Sequence, residues 1–320
     1  MHREHLKIFL GSAILFSASA VSSHALQFET SADPGGCLIE HVAADPDMEQ
    51  FHYDGVSGDG KRLAVGWRRG ETESGLYLFD LKTGKKKQIP GLNNGAVFAP
   101  DGKKLLNILP TKNGRTDIVE YDLATGEMTS IAPHDQWEWL ASYSSDGSQI
   151  LFNSYRTGAS DIYTYRVSDG ALRRWTNFDG YEAHGQFSPD DSQILFHRQE
   201  DSNDFQSATD FNLYVIDVAS GEISQLTDEP SEEGYASWSP DGQTIVFSSD
   251  RDQESGEMDL YLMNVDGSGV RRLTDHPAKD SYPFFSPDGD YVYFHSERVP
   301  SGMYRMALDA DLQCADASGE

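Results

Sequence analysis

Four carboxylates and four ring-bearing residues return in this chain at fixed distances from a repeated aspartate. Glu138, Glu182, Glu233 and Asp280 stand eight residues before Asp146, Asp190, Asp241 and Asp288, and Tyr53, His184, Tyr235 and Tyr282 stand six residues before Asp59, Asp190, Asp241 and Asp288. Convergent carboxylates suit a hard divalent cation such as Ca2+, with backbone carbonyls completing its oxygen shell. The same charges would hold a basic peptide. Trp137, Trp139 and Tyr181 add flat apolar faces nearby, as a sugar- or peptide-binding surface would. His184 is the best candidate for a metal ligand, with a hydrogen-bonded lining residue as the alternative, because His52 and His134 are out of register with it and a metal centre needs about three protein ligands. His197 and His295 follow Phe196 and Phe294 at matching positions, which favours packing. No catalytic residue is assigned: the chain has no Gly-x-Ser-x-Gly elbow, zinc spacing, phosphate loop or dinucleotide fingerprint.

The aspartates lie in turns. Trp238-Ser239-Pro240-Asp241-Gly242 sits between two apolar runs, where Pro presets φ and Gly tolerates a positive φ. It returns as Phe285 to Gly289 and Phe187 to Asp191, and more loosely around Asp59, Asp101 and Asp146. The six turn aspartates, 59, 101, 146, 190, 241 and 288, are spaced by 42 to 51 residues, the period of a propeller array. Each period holds four short strands, clearest as Tyr235–Trp238, Thr244–Ser248, Asp259–Met263 and a last one closing on Arg272-Leu273-Thr274. Four antiparallel strands cannot bury both faces alone, so the periods stack radially. The sequence therefore predicts an all-β chain: a six-bladed β-propeller of four-stranded antiparallel blades. The sixth period lacks its last strand, and Cys37–Val42 ahead of the first supplies it, closing the ring. In this fold the first strand of each blade lies nearest the axis, which is expected to bring Glu138, Glu182, Glu233 and Asp280 to one mouth of the channel, with Tyr53, His184, Tyr235, Tyr282 and Trp139 beside them. The polar insertions Glu200–Phe211 and Asp252–Glu257 lie between the second and third strands of blades four and five.

Composition bounds the partners. Arg3 and Lys7 precede an apolar run that ends in small residues, the build of a secretory signal. Residues 1–25 are read as the signal peptide, cleaved after Ala25 or, alternatively, Ala20. Residues 26–314 form the propeller and 315–320 an acidic tail. No later segment is apolar enough to span a bilayer, so the expected location is periplasmic or secreted. Cys37 and Cys314 are expected to pair in that compartment, because an N-terminal closing strand running antiparallel to the last one brings them together. The formal charge of −27 repels phosphate backbones and anionic headgroups and makes nucleic acid a poor partner. The acid excess serves solubility or a saline habitat, or attracts cations or a basic partner.

The repeats resemble those of TolB-like β-propellers, in which Phe/Trp-Ser-Pro-Asp-Gly, a β-branched strand, Ser-x-Arg, Asp-x-Tyr and Leu-Thr recur. The likeness runs from about Val56 to Leu308 and concerns the repeats alone, since some 25 residues between the cleavage site and the first blade leave no room for the α/β domain of TolB. A place in the Tol–Pal envelope system is therefore not implied. The resemblance implies structural roles for the turn Asp and for Arg156, Arg251 and Arg298, with Arg156 pairing Asp161 and Arg251 pairing Asp259. Glu182-Ala183-His184 is also similar to a segment of oligogalacturonate lyases, propellers in which histidines hold a divalent metal against a uronate. The function expected is a non-enzymatic binding or scaffold module for an envelope protein or peptide. The alternative is a metal-assisted lyase or hydrolase acting on an acidic oligosaccharide.

Overall fold

The computed structural model describes residues 29–32, 37–43, 49–50, 55–69, 73–93, 95–199, 210–252, 257–309 and 312–313. Residues 1–25, read above as a signal peptide, Tyr53, Cys314, residues 315–320 and most of both insertions lie outside these residues. Among them every regular element is a strand.

Six antiparallel sheets follow one another in chain order. Blade one holds β3 (Glu49–Gln50), β4 (Gly55–Val56), β5 (Arg62–Arg69), β6 (Glu73–Asp80) and β7 (Lys86–Ile89), with β3 and β4 both pairing β5. Blade two runs β8 (Val97–Phe98), β9 (Lys104–Pro110), β10 (Thr116–Asp122) and β11 (Met128–Ile131). Blade three runs β12 (Glu138–Tyr143), β13 (Gln149–Ser154), β14 (Asp161–Arg166) and β15 (Leu172–Arg174). Blade four runs β16 (Tyr181–Phe187), β17 (Gln193–Gln199), β18 (Phe211–Asp217) and β19 (Ile223–Gln225). Blade five runs β20 (Glu233–Trp238), β21 (Thr244–Ser249), β22 (Asp259–Asn264) and β23 (Arg271–Arg272). Blade six has β24 (Asp280–Phe285), β25 (Tyr291–Ser296) and β26 (Gly302–Ala307), and takes its fourth strand from β2 (Leu38–Ala43), on which Ile39 faces Met306 and Glu40 faces Arg305. A fifth strand, β1 (Glu29–Ala32), pairs with β2 outside it and has no counterpart in the repeat.

The core lies between blades. On β17, Ile194 and Phe196 pack toward blade three while Leu195 packs toward blade five, and the other central strands alternate in the same way. Burial on both faces explains why these strands read as unbroken apolar runs.

The repeated turn is a hydrogen-bonded corner. Ser239 Oγ donates to Asp241 Oδ1 at 2.6 Å, Asp241 accepts from the Gln243 amide at 3.0 Å, and Gly242 adopts φ +68°. Pro189 and Pro240 lie within 4 Å of where a Cβ on Gly242 and Gly289, one blade further on, would sit. Blade four departs from the pattern with Asp191 at φ +59°, and its carboxylate accepts the amide and hydroxyl of Ser145 in blade three. The Trp175-Thr176, Leu226-Thr227 and Leu273-Thr274 pairs expected to end the outer strands lie just beyond them. Thr176, Thr227 and Thr274 use Oγ1 to accept the amides of Ile162, Leu213 and Leu260 at 2.9 to 3.0 Å. The side chain there replaces a ladder carbonyl.

Candidate binding site in the axial channel

In four blades the innermost strand carries a bulge at one repeat position. Pairing slips between Trp139 and Ser142, Ala183 and Gln186, Gly234 and Ser237, and Ser281 and Phe284. Within each slip one non-glycine residue is left-handed: Leu140 at φ +57°, His184 at +55°, Tyr235 at +53° and Tyr282 at +55°. Each such backbone costs roughly 1–3 kcal/mol. The next residue is small or proline, Ala141, Gly185, Ala236 and Pro283. A Cβ on Gly185 would come within 2.4 Å of Leu151 Cδ2, so no larger residue fits there without displacing Leu151.

The bulges direct these residues at the axis. With Gly95 at the same position of blade two, Leu140, His184, Tyr235 and Tyr282 line a channel cavity of about 130 Å³. Asn107, Gln186, Phe284, His295 and Met303 complete much of its wall, and no Asp, Glu, Lys or Arg among the described residues lines it. A ring series runs from the rim inward. Trp137 stacks on Trp139 at 5.9 Å, Trp139 meets Tyr155, Tyr155 meets Tyr181, and Tyr181 meets His197. His197 reaches His184 at 4.6 Å, His184 reaches Tyr235 at 4.7 Å, and Tyr235 reaches Tyr282 at 4.0 Å. Burial pushes the Tyr235 hydroxyl up to about 12 and the His197 imidazole down to about 3. At neutral pH the Tyr235 and His197 rings are uncharged.

The carboxylates do not form an open ring at the mouth. Glu138, Glu182, Glu233 and Asp280 are all fully buried. Arg156 pairs with Glu138, Arg251 with Glu233, and Arg298 Nη2 with Asp280 Oδ2 at 2.6 Å. The expected pairs Arg156–Asp161 and Arg251–Asp259 are therefore corrected. Asp161 instead accepts from Arg174 at 2.7 Å, and Asp259 pairs with Arg272. Register supplies the reason: Ser154 stands opposite both Glu138 and Asp161, and Ser249 opposite both Glu233 and Asp259. The arginine two residues later has an acid on either side and takes the inner one, held by its Nε–H donating to that serine at 3.0 Å in blade three and 3.3 Å in blade five. Blade four lacks Ser-x-Arg, and Arg198 approaches Glu182 only to 3.5 Å while stacking on Phe178. Burial pushes the Glu138 and Glu182 carboxyls up to about 7, against the pull of Arg156 and Arg198.

Of the residues singled out from the sequence, His184, Tyr235 and Tyr282 reach the cavity and Trp139 its aromatic approach, whereas Tyr53 lies outside the described residues. Among the described residues no three His, Cys, Asp or Glu side chains converge as a metal would require. Asn107, Gln186, Phe284 and Met303 were not foreseen. For Gln186 and Phe284 the one signal was the Gly185 or Pro283 just before them, and Asn107 and Met303, on neighbouring strands, had none.

Residues 54–210 match the family model described as the TolB beta propeller domain, PD40, and residues 188–253 match that of the dipeptidyl peptidase IV N-terminal region. Among solved structures, TolB from Acinetobacter baumannii is similar with a TM-score of 0.65 at 23% identity over 80% of this chain, which spans 65% of that one. An oligogalacturonate lyase in complex with manganese gives 0.62 at 16% identity, covering 90% of this chain and 98% of that one. The β-propeller domain of the Trilobed protease from Pyrococcus furiosus, described as having an open velcro topology, gives 0.54 at 16% identity, covering 90% and 89%. At these identities the likeness is one of fold.

Proposed function

Because the chain belongs to the TolB-like β-propellers, we propose that it is an exported, non-enzymatic binding module that takes a segment of an envelope protein or peptide into its axial channel. One observation carries this reading. Four blades hold a left-handed non-glycine residue at the same position, each lining the channel cavity, and backbone strain repeated along one cavity wall supports a binding role. The lack of Asp, Glu, Lys or Arg in the described wall and the aromatic approach favour a neutral segment with apolar or aromatic side chains over the basic peptide that a carboxylate ring would select.

Capture from the envelope fraction of the native host tests the proposal. The same protein should be retained by the wild type and lost, by about tenfold or more, with His184→Ala and Tyr282→Ala at unchanged thermal stability. Equal retention by the variants would reject the channel as the site. The proposal includes closure by a Cys37–Cys314 disulfide: Cys37 is buried in the blade-six core against which Leu312 also packs, two residues before Cys314. Non-reducing peptide mapping reads it directly.

The metal-assisted lyase is the second reading, favoured by the similarity to the manganese-bound lyase along almost all of that chain. It requires stoichiometric metal that His184→Ala removes, and release of unsaturated uronates from an acidic oligosaccharide. Lack of both rejects it.

A further inference from the structure

The overall charge hides a segregation. Blade one, residues 49–89, holds eight Lys and Arg against six Asp and Glu, a net of +2, whereas residues 95–309, blades two to six, carry −22. The fold turns this sequence asymmetry into a spatial one, because consecutive blades occupy consecutive sectors of the disc. Blade one alone is net positive, and the acid excess lies mainly in blades four and five.

Within blade one the lysines gather at the outer edge. Lys86 and Lys87 lie on β7, the outermost strand, where only Ile89 is buried. Lys82 and Lys85 flank the turn leading into β7, and Lys61 stands beside that turn, its carbonyl accepting the Leu81 amide at 2.8 Å. All five side chains are exposed. The nearby acids are mostly engaged. Asp59 faces Lys61 at 3.5 Å, and Asp80 accepts the amides of Lys82 and Thr83 and the Thr83 hydroxyl. Lys82, Lys85 and Lys87 have no carboxylate within ion-pair distance among the described residues, and Lys86 lies over the Tyr77 ring at 4.7 Å.

We infer that this edge of blade one docks on an anionic lipid surface and orients the propeller there. Screening makes the local charge decisive: the Debye length is about 8 Å at physiological salt, so acids across the disc do not cancel the field at β7. Each Lys close to such a surface adds to the attraction, and clusters of four to eight are characteristic of it. The partner's chemistry follows from the kind of cation. These are flexible ammonium groups spread over a convex edge, without the arginine forks or open stacking rings that read phosphates one at a time. An array of mobile headgroups fits them. β7 has no apolar residue to insert, so attachment is electrostatic and reversible.

Cosedimentation of the full chain with vesicles tests this. It should bind phosphatidylcholine vesicles containing phosphatidylglycerol, not phosphatidylcholine alone, and binding should weaken by about tenfold or more between roughly 50 and 300 mM salt. Lys85→Glu with Lys87→Glu should reduce binding by about tenfold or more, while Arg166→Glu with Arg173→Glu in blade three, the same change in net charge, should leave it near wild type. No binding to anionic vesicles overturns the inference, as does binding that ignores salt or survives the blade-one reversal. Retention only by soluble acidic protein or polymer, with none by vesicles, also overturns it. Loss of channel capture in the His184 variant leaves this result untouched, so the two readings fail separately.

Discussion

At the scale of single residues, the buried ion pairs carry the sharpest expectations. Glu233 and Asp280 are fully buried, each against one arginine. Removing one partner of such a pair strands a charge and costs about 3–5 kcal/mol, far more than the under 1 kcal/mol of a surface pair. Arg251→Ala should lower the unfolding free energy by that amount in urea titration. A loss under about 1 kcal/mol would mean that water reaches Glu233. Titration adds a second test. Burial holds the His295 imidazole at about 4, below the ordinary ~6.5. Between these values the unfolded chain binds a proton that the folded chain does not, so stability rises with pH there and falls as the solution is acidified. His295→Gln should remove up to ~1.4 kcal/mol per pH unit of that slope. Glu138, raised to about 7 from 4.5, has the opposite sign. The folded chain keeps the extra proton between those values, and Glu138's contribution is lost as pH rises. The arginines were legible in the sequence as structural, but their partners were not, since register places an acid on both sides of each.

At the scale of elements, the turn and the bulge divide the work of each blade. The Ser-Pro-Asp-Gly corner closes a hairpin, and in blade four its Asp191 also ties two blades together through Ser145. Asp191→Ala keeps the left-handed backbone and loses the hydrogen bonds, for an expected loss of about 1–3 kcal/mol. Asp191→Gly relieves the backbone and should lose less, and thermal unfolding of both variants ranks them. The bulge aims a side chain at the axis, and packing behind it is tight. A Cβ on Gly234 would come within 2.7 Å of His197 Nδ1. Gly234→Ala should therefore destabilise by roughly 1–3 kcal/mol and shift the His197 ring. The turn was plain in the sequence because Pro, Asp and Gly each have a local conformational reason to be there. The bulge was not, because Leu140, His184, Tyr235 and Tyr282 share no side-chain chemistry that asks for a positive φ.

At the scale of the whole molecule, closure and charge set the behaviour. β2 completes blade six across nearly the full chain length, with Arg305 bonded to Glu40 at 2.6 Å. Deleting residues 26–43 should expose the β26 edge, so the truncated chain is expected to lose hydrogen-exchange protection first in blade six and to associate on gel filtration. The number of blades, the order of their strands and the closing segment were all determined by the sequence itself. Each rests on local signals, a turn or an apolar run, repeated often enough to count. The distance of six residues before the turn likewise located His184, Tyr235 and Tyr282 at the channel, because strand period and turn position are properties of the chain alone. Tertiary structure decided what lies beside what. It buried the four carboxylates against arginines, since antiparallel register brings the end of the second strand next to the start of the first. Among the described residues it left the channel wall without Asp, Glu, Lys or Arg and gathered the lysines of blade one at a single edge. Neighbours across strands and blades are set by register and closure, which no short stretch of sequence records.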